Sequence, residues 1–348
     1  MRKVLIISVS GIGNTVLQSP LIEAVLAQPD LETDILFGNE MMATVFQDHP
    51  RIHHSYLPPA KRRHIFPWLM ELRRRRYEIS VSCFPSNRLF FHILPILIGV
   101  KKRVIHSYRC GRLRTFSFLS NARVEAVEGI HDVQQNLRLL QAVGLVTQAP
   151  EKPIFRINGA DEAMANSLLE RERCSSGFLM GLHAGAGPIQ GKKWHLERFA
   201  LVARELLRRF GPGHVLIFGG PEEDSQKRRL AAKIRGNCAI VVNQGLGITA
   251  ALIRHCNLFL SNDSGLMHIA AAIGVRTLGI FGPTDWHRTA PYGPAAHFIH
   301  SKLPCAPCLR YPFYDTRPRL GCHNTPSPCL AEITVDRVVS KAIEILET

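Results

Sequence analysis

A chain of 348 residues with 46% hydrophobic residues and a net charge of +15 exceeds the size at which one hydrophobic core stops growing, so two domains are expected, at 1–155 and 156–348. It has no apolar run of about 18 residues, the length that spans a bilayer. Its start, MRKVLIISVSGIG, passes from two basic residues into a strand and a glycine turn rather than a signal peptide, and the expectation is residence in the cytoplasm.

Val4 to Val9 reads as a strand, followed by the glycine turn Gly11-Ile12-Gly13-Asn14 and an apolar-periodic helix interrupted at Pro20. The turn lacks the third glycine of a dinucleotide fingerprint, since Val16 stands where that glycine would be, so a dehydrogenase is disfavoured. Short apolar runs at Asp34 to Phe37, Ile79 to Cys83 and Arg103 to Ile105 alternate with helix-like segments. That alternation predicts stacked βαβ units on a parallel sheet.

Residues 61–114 carry 14 Lys or Arg against Glu71 and Glu78. Lys61-Arg62-Arg63-His64 and Arg73 to Arg76 bracket Ile65, Phe66, Trp68, Leu69 and Met70, a pattern suited to an anionic membrane surface. No helix-turn-helix, zinc-finger or RNP-like pattern accompanies the charge, so nucleic acid is not expected. Leu89 to Val100 is the most apolar stretch but is too short to span a bilayer and holds His92 and Pro95, which predicts a buried helix rather than membrane insertion.

A polar passage with Pro150 and Pro153 and a helix, DEAMANSLLERER, lead into the second half. There Phe178 to His183 predicts a strand, Gly185 to Gly191 a loop, and Leu196 onward a helix with Phe199, Val202, Ala203, Leu206 and Phe210 on one face. Val215 to Phe218 and Ala239 to Val242 predict further strands around a helix after Glu222. Residues 257–284, NLFLSNDSGLMHIAAAIGVRTLGIFGPT, read as strand, turn, helix, strand, turn, with the polar residues in the turns. In an open parallel sheet, ligands collect at such strand ends, where helix N-termini favour anions. Ser264, Gly265, His268 and Thr284 lie there.

Two segments carry a family resemblance. Asp263-Ser264-Gly265-x-x-His268 followed by Ile280-Phe281-Gly282-Pro283-Thr284 resembles the donor-binding motif of glycosyltransferase family 9, the bacterial heptosyltransferases. Lys192-Lys193-Trp194 followed by Glu197-Arg198-Phe199-Ala200 resembles a second motif of that family, with His195 where proline is usual. The resemblance implies the α/β GT-B fold, two Rossmann-like doubly wound lobes facing across a cleft, with a return of the C-terminal helix to the first lobe left open. It also implies inverting, metal-independent transfer of a sugar, heptose from ADP-heptose, onto a lipopolysaccharide core or a related anionic glycolipid at the cytoplasmic membrane surface.

On that reading the nucleotide-sugar donor is held by Gly187, Lys192, Glu222 or Glu223, Asp263, Ser264, Gly265, His268 and Thr284. Lys192 neutralises charge building on the departing nucleotide. The acceptor is held by Gly13, Asn14, Arg63 and Arg88. The family carries Asp as general base at the position of Asn14, which cannot accept a proton; His183 and Asp263 stand as substitutes by position. A GT-B epimerase or hydrolase, and a non-catalytic binding protein for lipopolysaccharide precursors, remain alternatives. No cofactor is expected for catalysis. Cys305, Cys308, Cys322 and Cys329 cluster near the end, with either a structural zinc or free thiols as the reading.

Overall fold

Each half of the chain supplies six short strands joined by helices, and long crossovers of that kind force neighbouring strands to run parallel. The computed structural model describes residues 1–108, 115–145, 149–174, 176–187, 191–234, 238–310 and 327–348. It contains two units, one of Met1–Phe155 and one of Arg156–Arg310 with the described C-terminal residues.

The first unit holds β1 (Arg2–Ser8), β2 (Leu31–Phe37), β3 (Ile52–Tyr56), β4 (Ile79–Ser82), β5 (Lys102–Ser107) and β6 (Ala122–Glu125), in the order β3-β2-β1-β4-β5-β6. The second holds β7 (Phe178–His183), β8 (Gly213–Ile217), β9 (Ala239–Val241), β10 (Leu258–Asn262), β11 (Thr277–Phe281) and β12 (Ala296–His300), in the order β12-β11-β10-β7-β8-β9. Counted from the first strand of each unit, both are the doubly wound Rossmann order, so the expected α/β class is what the chain adopts. The order reverses direction beside β1 and β4 in one sheet, and beside β7 and β10 in the other. Those two places are where such sheets bind ligands.

Both faces of each sheet are covered, which explains why the central strands are apolar throughout rather than alternating. In the second unit, Met180 and Leu182 pack with Phe199, Leu206 and Ile345, while Leu179 and Phe259 pack on the other face with Leu169 and Ala270. Gly181 of β7 is required by the same packing, because a Cβ there would run into the Phe259 ring. The C-terminal helix Val335–Glu347 belongs to the second unit, where Val338, Ala342 and Ile345 join the core formed with helix Leu196–Phe210. Three of the four edge strands, β3, β6 and β12, with sequences IHHSY, ARVE and AHFIH, are absent from the sequence reading. Being half-exposed, they lack the apolar runs that mark the inner strands.

Two expectations need correction. The helix expected to break at Pro20 runs unbroken over Ile12–Leu26. Proline cannot bond the carbonyl four residues earlier, and here the hydroxyl of Ser19 donates to that carbonyl, Val16 O, at 2.7 Å. The helix expected to be buried, Phe90–Leu97, is buried on one side only: Phe91, Leu94 and Pro95 face the core, whereas Phe90, Ile93, Ile96 and Leu97 are exposed. Its apolar circumference concealed which side is covered.

Ser19 Oγ also accepts the backbone N–H of Ile154 at 2.7 Å. Ser19→Ala therefore leaves two backbone groups unpaired and should lower unfolding free energy by about 2 kcal/mol, read by urea titration. Adding Pro20→Ala, which restores a donor to Val16 O, should recover part of that loss.

Candidate active site

The site grows from the carboxyl ends of β7 and β10. β10 ends in Asn262, fully buried, whose side chain joins both ends of the segment between β7 and the next helix. Its Nδ2 donates to Ala184 O at 2.7 Å, and its Oδ1 accepts from the Trp194 backbone N–H at 3.0 Å. Trp194 is itself locked: its indole N–H donates to Ile333 O at 3.0 Å and its ring packs edge-on against Phe199. Lys192 lies two positions before this anchor and is thereby held against β10.

Its amine pairs with Asp263 Oδ2 at 2.7 Å, both side chains nearly buried. Burial alone would push the Asp263 carboxyl up, but Lys192 and His268 outweigh it and hold the pKa below the usual carboxylate range. The Thr284 hydroxyl pulls in the same direction from nearby, without a hydrogen bond of ordinary geometry. Burial, with Lys192 adding to it, lowers the His268 imidazole to about 4, so it is neutral at physiological pH despite the adjacent carboxylate. Lys192 thus carries the local positive charge.

Ser264 caps the helix Gly265–Ala272, its Oγ accepting from Met267 N–H at 3.4 Å. The same hydroxyl meets His183 Nδ1 at 2.9 Å and Ser261 Oγ at 2.9 Å. His183 Nε2 donates to Glu223 Oε2 at 3.1 Å, since a carboxylate can only accept. Burial opposes charge on Glu223, yet His183 and the Gly220 amide outweigh it and the carboxyl titrates below its usual range. Gly185 is needed for this arrangement, because a Cβ there would overlap the Glu223 carboxylate.

The residues singled out from sequence therefore separate into groups. Lys192, Asp263, Ser264, Gly265, His268 and Thr284 gather around the end of β10, with Glu223 joined to them through His183. Glu222 is exposed on the outer side of the turn, and Gly187 is exposed with open space where a Cβ would be. In the first unit, Gly13 and Asn14 lie in the first turn of helix Ile12–Leu26, beyond the end of β1, and Asn14 Nδ2 donates to Ser10 O at 2.6 Å. Ser10 Oγ donates to Pro85 O at 2.9 Å, tying this turn to the loop after β4 that also carries the exposed Arg88. Arg63 is exposed and donates to His64. Of the clustered cysteines, Cys322 falls outside the described residues, while Cys305 and Cys308 are exposed and Cys329 buried. The network through Ser261, Asn262 and His183 has a faint sequence signal, polar residues closing otherwise apolar strands, and only His183 was singled out by it.

The sequence profile of glycosyltransferase family 9 (heptosyltransferase) matches residues 94–314. The chain belongs to this family. It is 29% identical over 176 residues to lipooligosaccharide heptosyltransferase 2 of Campylobacter jejuni, covering 49% of this chain and 51% of that one. The matches to the first curated relatives span between 26% and 51% of those proteins' length. Among solved structures it resembles Escherichia coli ADP-heptose lipopolysaccharide heptosyltransferase II, with a TM-score of 0.76 and 18% identity over 99% of this chain and 98% of the other. It also resembles an E. coli heptosyltransferase solved with ADP-2-deoxy-2-fluoro heptose, with a TM-score of 0.67 and 18% identity over 98% and 99%. At such identities the structures speak to the fold.

The low value for His268 has a measurable consequence. Its folded pKa of about 4 lies below the ordinary 6.5, so the folded protein binds fewer protons than the unfolded chain between those values. Stability falls as pH drops through that window, by up to about 3 kcal/mol from this residue. Denaturant titrations at pH 4.5 and 7 should show a smaller difference for His268→Asn than for the unaltered protein.

Proposed function

We propose that this chain transfers a sugar, heptose from ADP-heptose, by a single inverting, metal-independent displacement onto a lipopolysaccharide core or related anionic glycolipid. The observation that carries the reading is the Lys192–Asp263 pair beside the capped N-terminus of helix Gly265–Ala272, at the switch point of the second sheet. Family membership, heptosyltransferase relatives and a structural neighbour solved with an ADP-heptose analogue support the same donor.

In the proposed step an acceptor hydroxyl oxygen bonds to the anomeric carbon, the bond from that carbon to the diphosphate breaks, and the acceptor proton passes to solvent water. The developing charge sits on the nucleoside diphosphate. Backbone N–H groups at the start of helix Gly265–Ala272 and the Lys192 amine are the groups that stabilise it. Asp263 aims the amine, and neutral His268 adds no competing charge. Glu223 is committed to His183, which leaves exposed Glu222 as the better ribose partner. His183 has both ring nitrogens engaged and Asp263 is ion-paired, so both suit positioning better than proton abstraction.

Gly13, Asn14, Arg63 and Arg88 are assigned to the acceptor. Asn14 acts as a hydrogen-bonding group rather than a base, since a carboxamide takes no proton at neutral pH. That feature is also what favours the second reading, a non-catalytic binder of lipopolysaccharide precursors. The acceptor is amphiphilic, and the first unit has a surface to match it. Exposed Ile65 and Phe66 on one helix and Phe90, Ile93 and Leu97 on its neighbour accompany exposed Lys61, Arg62, Arg63, Arg73 and Arg74. The two helices are joined by Arg73 Nη1 donating to Leu97 O at 2.8 Å and by packing of Leu72 with Phe91 and Leu94. No helix among the described residues is long and apolar enough to cross a membrane, so peripheral attachment at the cytoplasmic membrane surface is the mode proposed.

Nucleotide release should require ADP-heptose and acceptor together. Release without acceptor would indicate a hydrolase or epimerase, and donor binding without release a binding protein. Lys192→Gln, which keeps a donor beside Asp263, should lower kcat by about a hundredfold or more with a smaller change in donor KM; an unchanged kcat rejects the assigned role. On vesicles containing anionic lipid, Phe66→Asp with Leu97→Asp should reduce co-sedimentation at least fivefold, and equal sedimentation rejects this surface.

A further inference from the structure

The first unit carries a second polar cluster, remote in sequence from the motifs above. Edge strand β3 pairs with β2 through an irregular register, Thr33 opposite Ile52 and Asp34 opposite His54. His53 is the extra residue. Neighbouring strand residues ordinarily point to opposite faces, and such a bulge re-aims one of them. Here His53 and His54 turn their Nδ1 atoms toward each other, 2.5 Å apart. Both face Asp34 Oδ1, at 3.5 and 3.6 Å.

Asp34 is fully buried, yet only one of its oxygens is bonded. Oδ2 accepts from Tyr77 Oη at 2.6 Å and from Arg75 Nε at 3.1 Å, whereas Oδ1 has no hydrogen-bond partner. A bare buried carboxylate oxygen is rare and calls for an explanation such as a bound ion. The two ring nitrogens are closer than an ordinary N–H···N bond, so there is no space for a proton on each. One point lies about 2 Å from all three atoms, the length of a zinc–imidazole or zinc–carboxylate bond.

We infer that Asp34, His53 and His54 form a site for a borderline divalent transition metal such as Zn²⁺ or Co²⁺. Two imidazoles and a carboxylate are the donors those ions select over Mg²⁺ or Ca²⁺. Among the described residues this is the only group of three such side chains with ligand atoms close enough to share an ion. Arg75 and Tyr77 fix the carboxylate by hydrogen bonds to its other oxygen, which holds Oδ1 in place to take a metal ion. Glu32, whose Oε1 is 3.5 Å from His53 Nδ1, supplies a nearby fourth oxygen. Arg75 Nη2, now 3.0 Å from His53 Nδ1, gives up that contact when the ion enters and keeps its bonds to Glu32 and Asp34. The ion ties edge strand β3 to buried β2, a structural clip with no part in sugar transfer.

The test is cobalt and zinc titration of the chelator-treated full chain beside His53→Ala/His54→Ala, whose replaced side chains are half-exposed and tolerate removal. The unaltered protein should bind one Co²⁺ more per chain than the double variant, with d–d absorption and no added thiolate charge-transfer band. A single His54→Ala should weaken that equivalent at least tenfold, and Zn²⁺ should raise the melting temperature only where both histidines are present. Equal cobalt uptake by the unaltered protein and the double variant, or a histidine-independent zinc effect on melting, overturns the site. So does a band that marks the added cobalt as thiolate-bound.

Discussion

A single buried amide, Asn262, closes both ends of the segment that carries Lys192. It uses its donor on the Ala184 carbonyl and its acceptor on the Trp194 amide, so both ends of the segment are anchored to β10. Without that closure the lysine would be a flexible surface side chain with four rotatable bonds, and ordering it would consume much of what a charge-assisted bond gains. With it, the ammonium arrives at Asp263 already oriented. The Lys192–Asp263 pair depends on this constraint, while Ser264, Ser261, His183 and Glu223 are joined by hydrogen bonds of their own.

The resulting interior is polar where an apolar filling would be more stable. A buried ion pair repays its desolvation poorly, and removing one partner typically costs about 3 to 5 kcal/mol. The second unit also buries Ser261, Ser264, His183 and His268 within the same small volume. Such concentrations occur where a fold gives up stability for a task. The large apolar clusters on both faces of the sheet compensate. An arriving diphosphate would exchange one anionic partner of Lys192 for another with little reorganisation, which is the economy expected of a preorganised site.

The fold was legible because its inner strands are apolar on both faces: Val4 to Ile7, Leu179 to Leu182 and Leu258 to Leu260 announce themselves as runs. Of the four edge strands only β9, with the apolar run AIV, was legible; IHHSY, ARVE and AHFIH face solvent on one side and carry no such run. The cluster at the end of β10 was legible through Lys192, Asp263, Ser264 and His268, residues close to glycine turns. Its supports were not. Asn262 and Ser261 read as strand-end polar residues, and nothing local says that Asn262 contacts position 194 or that Gly185 must leave space for Glu223. Those relations are long-range, created when β7 becomes a neighbour of β10 on one side and of β8 on the other. Likewise, that Glu223 rather than Glu222 bonds to His183, forty residues away in sequence, has no local signal.

The hydroxyl of Ser19 makes Pro20 tolerable within its helix and makes the two positions interdependent in evolution. Serine lost first leaves Val16 O bare beneath a proline ring; proline lost first restores the helix bond and leaves the hydroxyl needed only for Ile154. The order of substitution therefore decides whether a lineage passes through a weakened intermediate.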